Sequence, residues 1–150
     1  MTQMRSALGG IPVVRAMLTD FQALSPHDPL GRAVQLIISG SQHDFPVTVD
    51  GQVVGVLTRS RLMQALAERG RDVPVSEVME REVETVEAHE MLEAALSRLQ
   101  SSGAKLLPVL HRGELVGLLT SDNVGEFLMI QSALERATSG GVPRAYSRAR

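Results

Sequence analysis

Apolar positions along the chain follow two alternating periods, and the whole succession occurs twice. Leu30, Ala33, Val34 and Ile37 recur at helical spacing, with Pro29 suited to a first helical turn and Gly40 to its end. Two short apolar runs follow, 45–49 and 52–57, separated by Asp50-Gly51, a pair that favours a tight hairpin turn. The second run closes on Gly55-Val56-Leu57-Thr58, after which helical composition returns over 59–69 with Thr58 where an N-cap belongs. Further along, Leu92, Ala95, Leu96 and Leu99 repeat the helical face and end near Ser102-Gly103. The runs 106–111 and 114–120 then flank Arg112-Gly113, and a helix over 121–136 follows Thr120. Ahead of each unit stands a short helical turn, 13–17 or 75–79, with Val and Met on one face. The segments 21–24 and 83–86 read as short strands, each followed by a polar stretch holding His27 or His89.

The two copies align without a gap: Met17 and Met79, His27 and His89, Leu30 and Leu92, Pro46 and Pro108, Gly55 and Gly117, and Thr58 and Thr120 all differ by 62. In 150 residues there is room for one compact core, and each half would be marginal alone. Mutual burial of the halves is the remedy. Two copies at this period favour a closed pseudo-twofold pair over a solenoid.

The repeated strand with h-Pro-Val (Phe45-Pro46-Val47, Leu107-Pro108-Val109), the turn, the strand ending Gly-h-h-Thr and the helix after it resemble a tandem of CBS (cystathionine β-synthase) domains. The resemblance spans 13–131 and implies an α+β fold, two β-α-β-β-α repeats packed as a pseudo-twofold pair. It divides the chain into an N-terminal adapter (1–12), a first repeat (13–73), a second repeat (74–137) and a flexible C-terminal tail (138–150). In that family such a pair binds adenine nucleotides or related ligands in the cleft between the repeats.

Composition narrows the function. A formal charge of −2 and a pI near 6.1 offer no general attraction to polyanions, and three Phe, one Tyr and no Trp leave little to stack on bases. No nucleic-acid partner is expected. The basic residues of the tail, Arg144, Arg148 and Arg150, read as a solvated terminus. With no cysteine there is neither a disulfide nor thiolate chemistry, which fits a reducing compartment. No apolar run reaches the length of a membrane span, so the expected location is cytoplasmic, free or as the cytoplasmic part of a membrane protein.

The helix entrances are the candidate site. A helix entered through Gly-h-h-Thr offers unpaired N–H groups and a positive dipole end, and two of them facing a shared space would suit an anion. Thr58 and Thr120 can each cap a helix or bond a phosphate or ribose oxygen, and the adjacent Gly lets ligand or chain come close. By the resemblance, the residue three places after each Thr holds the ribose diol and is usually Asp. Here it is Arg61 and Asn123. Arg has no acceptor, though it could grip a phosphate, whereas Asn keeps one neutral acceptor; Asp122 is a quarter turn away. The resemblance also places His43, Asp44 and Phe45, with Lys105, Leu106 and Leu107, along the adenine slot. One ligand per chain is therefore expected, on the Thr120 side. The four histidines, His27, His43, His89 and His111, lack metal-site spacing, and no nucleophile stands beside a base, so neither a metal site nor a catalytic residue is expected.

The functional expectation is a regulatory module without catalysis or a resident cofactor. It would sense AMP, ADP or ATP and control a partner domain by population shift. The alternative is a ligand-free structural dimerisation module with a degenerate cleft. Excess apolar residues on the last helix, Val124, Phe127, Leu128, Ile130 and Leu134, point to a homodimer. Arg5-Ser6-Ala7-Leu8, Asp44-Phe45-Pro46-Val47 and 124–129 further resemble the cytoplasmic CBS tail of site-2-protease-like intramembrane zinc metalloproteases. That narrower resemblance implies a membrane protease domain as partner, with its catalytic HExxH outside this sequence.

Overall fold

The computed structural model describes residues 9–140. The first eight residues of the N-terminal adapter, with the Arg5-Ser6-Ala7-Leu8 segment, and residues 141–150 of the tail lie outside the described residues. In chain order the elements are α1 (Val13–Ala16), α2 (Leu30–Ser39), β1 (Phe45–Val49), β2 (Gln52–Leu57) and α3 (Arg59–Arg69). A 3-10 turn (Val75–Glu77) then leads to β3 (Val86–Glu87), α4 (Leu92–Ser102), β4 (Leu106–His111), β5 (Glu114–Thr120) and α5 (Ser121–Gly140). Mixed α+β architecture in two equivalent units is as expected.

Each hairpin turns on two residues of positive φ, Asp50 and Gly51 (52° and 81°) or Arg112 and Gly113 (54° and 81°). These are the left-handed angles of a type I′ turn, whose twist matches the strands it joins. Both hairpins carry a register shift at the same place, after Val47 in β1 and after Val109 in β4. Thr58 and Thr120 cap their helices as expected, each hydroxyl accepting from the backbone N–H three residues on, Arg61 at 3.3 Å and Asn123 at 3.0 Å.

Two local expectations are corrected. Residues 21–24 form no strand, Leu24 alone bridging Val47 in parallel, and in place of the expected 83–86 only Val86 and Glu87 pair, with Val109 and Leu110, as a two-residue strand. A missing donor accounts for the difference: Ala88 N–H donates to Leu110 C=O at 2.8 Å, but the matching residue of the first unit is Pro26, which has no N–H to give. The last helix does not end at Arg136 but continues to Gly140, with the Thr138 hydroxyl donating to Leu134 C=O at 2.9 Å. A Thr facing back along its own helix satisfies its hydroxyl without stopping the helix.

The two units trade their lead-in segments. Ile11, Val13 and Ala16 are buried in the core of the second unit, with Leu92, Leu107, Leu119 and Val124. Val75 and Met79 are buried in the core of the first, with Leu30, Phe45, Leu57 and Leu62. The backbone contacts that fix this exchange come in pairs offset by 62. Val13 N–H donates to Glu90 C=O and Val75 N–H to Asp28 C=O, both at 2.8 Å; Leu18 bridges Leu118, and Glu80 bridges Val56. Each core is thus completed by a segment adjoining the other repeat in sequence, so neither repeat closes its core alone. A third cluster, Val56, Leu106 and Leu118 with Phe21, Val83 and Leu115 around it, joins the hairpins of the two units across the pseudo-dyad. Burying side chains of this size contributes about 1.5–3 kcal/mol each.

Candidate functional site

The exchange explains the glycine of Gly-h-h-Thr. A Cβ on Gly55 would lie 2.6 Å from Met79 Sδ and 2.8 Å from Glu80 O; one on Gly117 would collide with Met17 Sδ and lie 2.9 Å from Leu18 O. What approaches here is the traded backbone. The close approach falls within β2 and β5, beside the lead-in of the other unit, and α5, which follows β5, starts at the edge of an inter-repeat cleft.

That cleft encloses about 830 Å³ on the Thr120 side, within the size range of small-molecule sites. Its walls come from both repeats. Asp20, Gln42, His43 and Asp44 line it from the first, and Lys105 and the start of α5, from Thr120 through Asn123, from the second. Leu18, Phe21, Leu99 and Leu118 supply apolar surface. Of the sequence candidates, His43, Lys105, Thr120, Asp122 and Asn123 come together here.

Others do not. Phe45 and Leu107 are fully buried, one in each main core, where they face Leu57 and Leu119 across their hairpins. Their place in the adenine slot is therefore corrected: both strands turn these side chains inward, and they hold the fold. Leu106 is buried between Val56 and Leu118 in the central cluster and does not line the cleft. Thr58 and Arg61 stand apart from it as well. The Arg61 guanidinium donates to Val78 C=O at 2.7 Å and lies 3.9 Å from Glu80, so it is tied to the traded segment.

Asn123 is tied in the same way. Its Nδ2 donates to Ala16 C=O at 2.7 Å, and Ala16 is the 62-residue counterpart of Val78. Its Oδ1 accepts from Thr120 N–H at 2.6 Å and from the Thr120 hydroxyl at 3.2 Å. With Asn123 N–H donating back to the Thr hydroxyl, the pair forms a reciprocal cap. An amide oxygen has two lone pairs, and both are in use. The ribose acceptor expected of Asn123 is thus spoken for. The two positions after the threonines instead act alike as ties, each donating to the lead-in of the other unit.

The two helix entrances differ in one further respect. In the first unit Asp44 Oδ1 accepts from Arg59 N–H, the first amide of α3, at 2.9 Å. The residue in the matching place of the second unit is Leu106, which has no acceptor, so the matching Ser121 amide at the cleft receives no such side-chain cap. The anion-binding capacity of a helix start is better preserved there. Asp20 and Glu126 also line the cleft and carry no sign of it in the hairpin motifs. Asp20 arrives through the trade, two residues after Leu18, and Glu126 lies one helical turn past Asp122.

The histidines are dispersed. His27 and His89 are not buried in either core, and His89 packs edge-on against His111 with ring centroids 5.3 Å apart. Among the described residues no group of three or more His, Asp or Glu could hold a metal ion, and no helix is long and apolar enough to cross a membrane.

Residues 13–68 and 75–129 both match the CBS domain family, and the chain belongs to that family. It is 28% identical over 125 residues to the CBS domain-containing protein YhcV of Bacillus subtilis, covering 82% of this chain and 87% of that one. Its fold is shared with the AcuB protein of Vibrio cholerae, at 22% identity and a TM-score of 0.75, over 87% of this chain and 96% of that one. It is shared also with CBSX2 of Arabidopsis thaliana, at 25% identity and a TM-score of 0.72, over 82% and 98%. CBSX2 has been solved in complex with AMP. CBS pairs are generally regulatory modules, and some bind adenosine compounds.

Proposed function

We propose that this protein is a regulatory CBS pair that binds one adenosine-containing ligand in the Thr120-side cleft and signals its occupancy to a partner domain or subunit. The observation that carries the reading is the cleft itself, which joins both repeats at the start of α5, beside the Ser121 amide and Lys105. A ligand touching both walls stabilises one relative placement of the units, and the equilibrium shifts by the difference in its affinity for the two placements. CBSX2, which binds AMP, supports adenosine as the common element. The ligand class comprises AMP, ADP, ATP and related adenosine compounds, and the expected location is the cytoplasm.

The first-unit entrance takes no ligand in this reading, because Asp44 caps α3 and Arg61 is held on Val78 and Glu80. Homodimerisation through α5 accompanies it, since Met129, Ile130 and Leu134 are exposed at 73%, 53% and 57%. The partner drawn from the narrower resemblance is an intramembrane metalloprotease. Within the described residues the segments behind that resemblance also serve the fold, with Phe45, Val47 and Val124 in the cores.

Thermal shift followed by calorimetry with AMP, ADP, ATP, S-adenosylmethionine and NAD tests this. A ligand that binds only the folded state raises the melting temperature, by about 2.7 kcal/mol of stability at a hundredfold excess over Kd. One site per chain is expected, weakened in Thr120→Val and unaffected in Thr58→Val. A second reading, the ligand-free structural dimer, is favoured by the engagement of both Arg61 and Asn123 with the traded segments. It prevails if no adenosine compound binds at millimolar concentration while the protein remains a dimer.

A further inference from the structure

The charge lining the cleft bears on which adenosine ligand it takes. Four carboxylates, Asp20, Asp44, Asp122 and Glu126, face one ammonium, Lys105. Asp44 is partly spent on the Arg59 amide. The carboxylates of Asp20, Asp122 and Glu126 make no hydrogen bond or ion pair with any described residue. Asp122 and Glu126 lie four residues apart on α5, so their carboxylates stand one above the other on one side of the helix. Asp122 also stands in its first turn, where negative charge offsets the dipole that a phosphate would otherwise exploit. Their counterparts on α3 are the neutral Ser60 and Gln64, so the charge belongs to the second unit alone.

We infer that the cleft selects by charge, taking an adenosine compound whose arm beyond the ribose is cationic, as a sulfonium or an ammonium, over one bearing a polyphosphate. This rests on the proposed role of the cleft as the adenosine site and names its ligand class. A triphosphate arm would meet three uncompensated carboxylates with one lysine to balance them. A cationic arm meets the same groups as partners, while Lys105 and the Ser121 amide remain for an accompanying carboxylate or a single phosphate.

Calorimetry on the full chain, with adenosine, AMP, ATP and S-adenosylmethionine as probes in EDTA, tests the inference without divalent cations bridging phosphate to carboxylate. S-adenosylmethionine is expected to bind at least about tenfold more tightly than ATP, with AMP between them. The ratio should shrink as salt rises from about 0.05 to 0.5 M, since exposed charges are screened. It should fall towards unity in the double variant Asp122→Asn with Glu126→Gln, whose melting temperature serves as the control for folding. ATP binding as tightly as the sulfonium, or a ratio unmoved by the double variant, overturns the charge inference while leaving the adenosine site intact. Failure of all four probes, neutral adenosine included, overturns the site itself and the inference with it.

Discussion

Replacing Gly117 by Ala probes the traded segment more directly than any deletion of an apolar side chain. The new methyl group would collide with Met17 Sδ and sit 2.9 Å from Leu18 O, closer than a Cβ approaches a carbonyl oxygen. Met17 can rotate away, but Leu18 O cannot move without loosening a pair of backbone bonds, Leu18 N–H to Leu118 C=O at 2.8 Å and Leu118 N–H to Leu18 C=O at 2.9 Å. Overpacking costs about 1–3 kcal/mol and each lost hydrogen bond about 1 kcal/mol, so a loss of roughly 2–4 kcal/mol is expected. Gly55→Ala should lose a similar amount, because its Cβ would meet Met79 Sδ at 2.6 Å and Glu80 O at 2.8 Å. Gly125→Ala is the counterpart of opposite sign. That glycine is exposed on α5 with open space where its Cβ would stand, so Ala should stabilise the helix by about 0.5–1 kcal/mol. Urea melts with a common m-value measure all three. Gly117→Ala within half a kilocalorie of the parent would refute the traded arrangement. Full rescue of Gly117→Ala by Met17→Ala would show that only the thioether was in the way and that the Leu18 backbone does not bind as described.

Leu57→Ala and Leu119→Ala should each cost about 2–5 kcal/mol, since both side chains are fully buried in the two main cores, and denaturant melts would show it. Asn123→Ala removes the reciprocal cap and the Ala16 carbonyl bond and should cost about 1–3 kcal/mol, whereas Arg61→Ala, on a half-exposed guanidinium, should cost less than about 1 kcal/mol; parallel melts rank them. Light scattering at tens of micromolar should give a dimer mass, and Ile130→Lys with Leu134→Lys should shift it to monomer without lowering secondary structure, because both side chains are exposed.

Much of the local structure is legible along the chain because its causes are local. Asp50-Gly51 and Arg112-Gly113 dictate hairpins by their φ angles, and Leu30–Ser39 and Leu92–Ser102 form where the apolar spacing places them. Thr58 and Thr120 cap the helices they precede through bonds spanning three residues. The candidate site is legible only in part. His43, Lys105 and Thr120 line the cleft, and so does Asp122, which the motif set a quarter turn away, while Phe45, beside Asp44, and Leu107, beside Leu106, turn into the cores. Successive strand residues face opposite sides, so a motif that marks the strand cannot by itself say which residue faces the ligand. Asp20 is not legible at all, because nothing near it in sequence says that Leu18 pairs with Leu118, a hundred positions away.

The unit is written along the chain: a repeated helix, hairpin and helix with constant offset, its turns, its caps and its buried faces. Which lead-in completes which core is settled only in three dimensions. Met17 and Met79 are equivalent in pattern, and so are Gly55 and Gly117, so each methionine could in principle pack on the glycine of its own repeat or on that of the other. The described fold places Met17 on Gly117 and Met79 on Gly55. The hydrophobic effect is non-directional and does not distinguish the two pairings; chain connectivity and the backbone bonds of Val13 to Glu90 and Val75 to Asp28 do. The same trade brings Asp20 to the cleft and turns Arg61 and Asn123 from prospective ligand contacts into ties between the units.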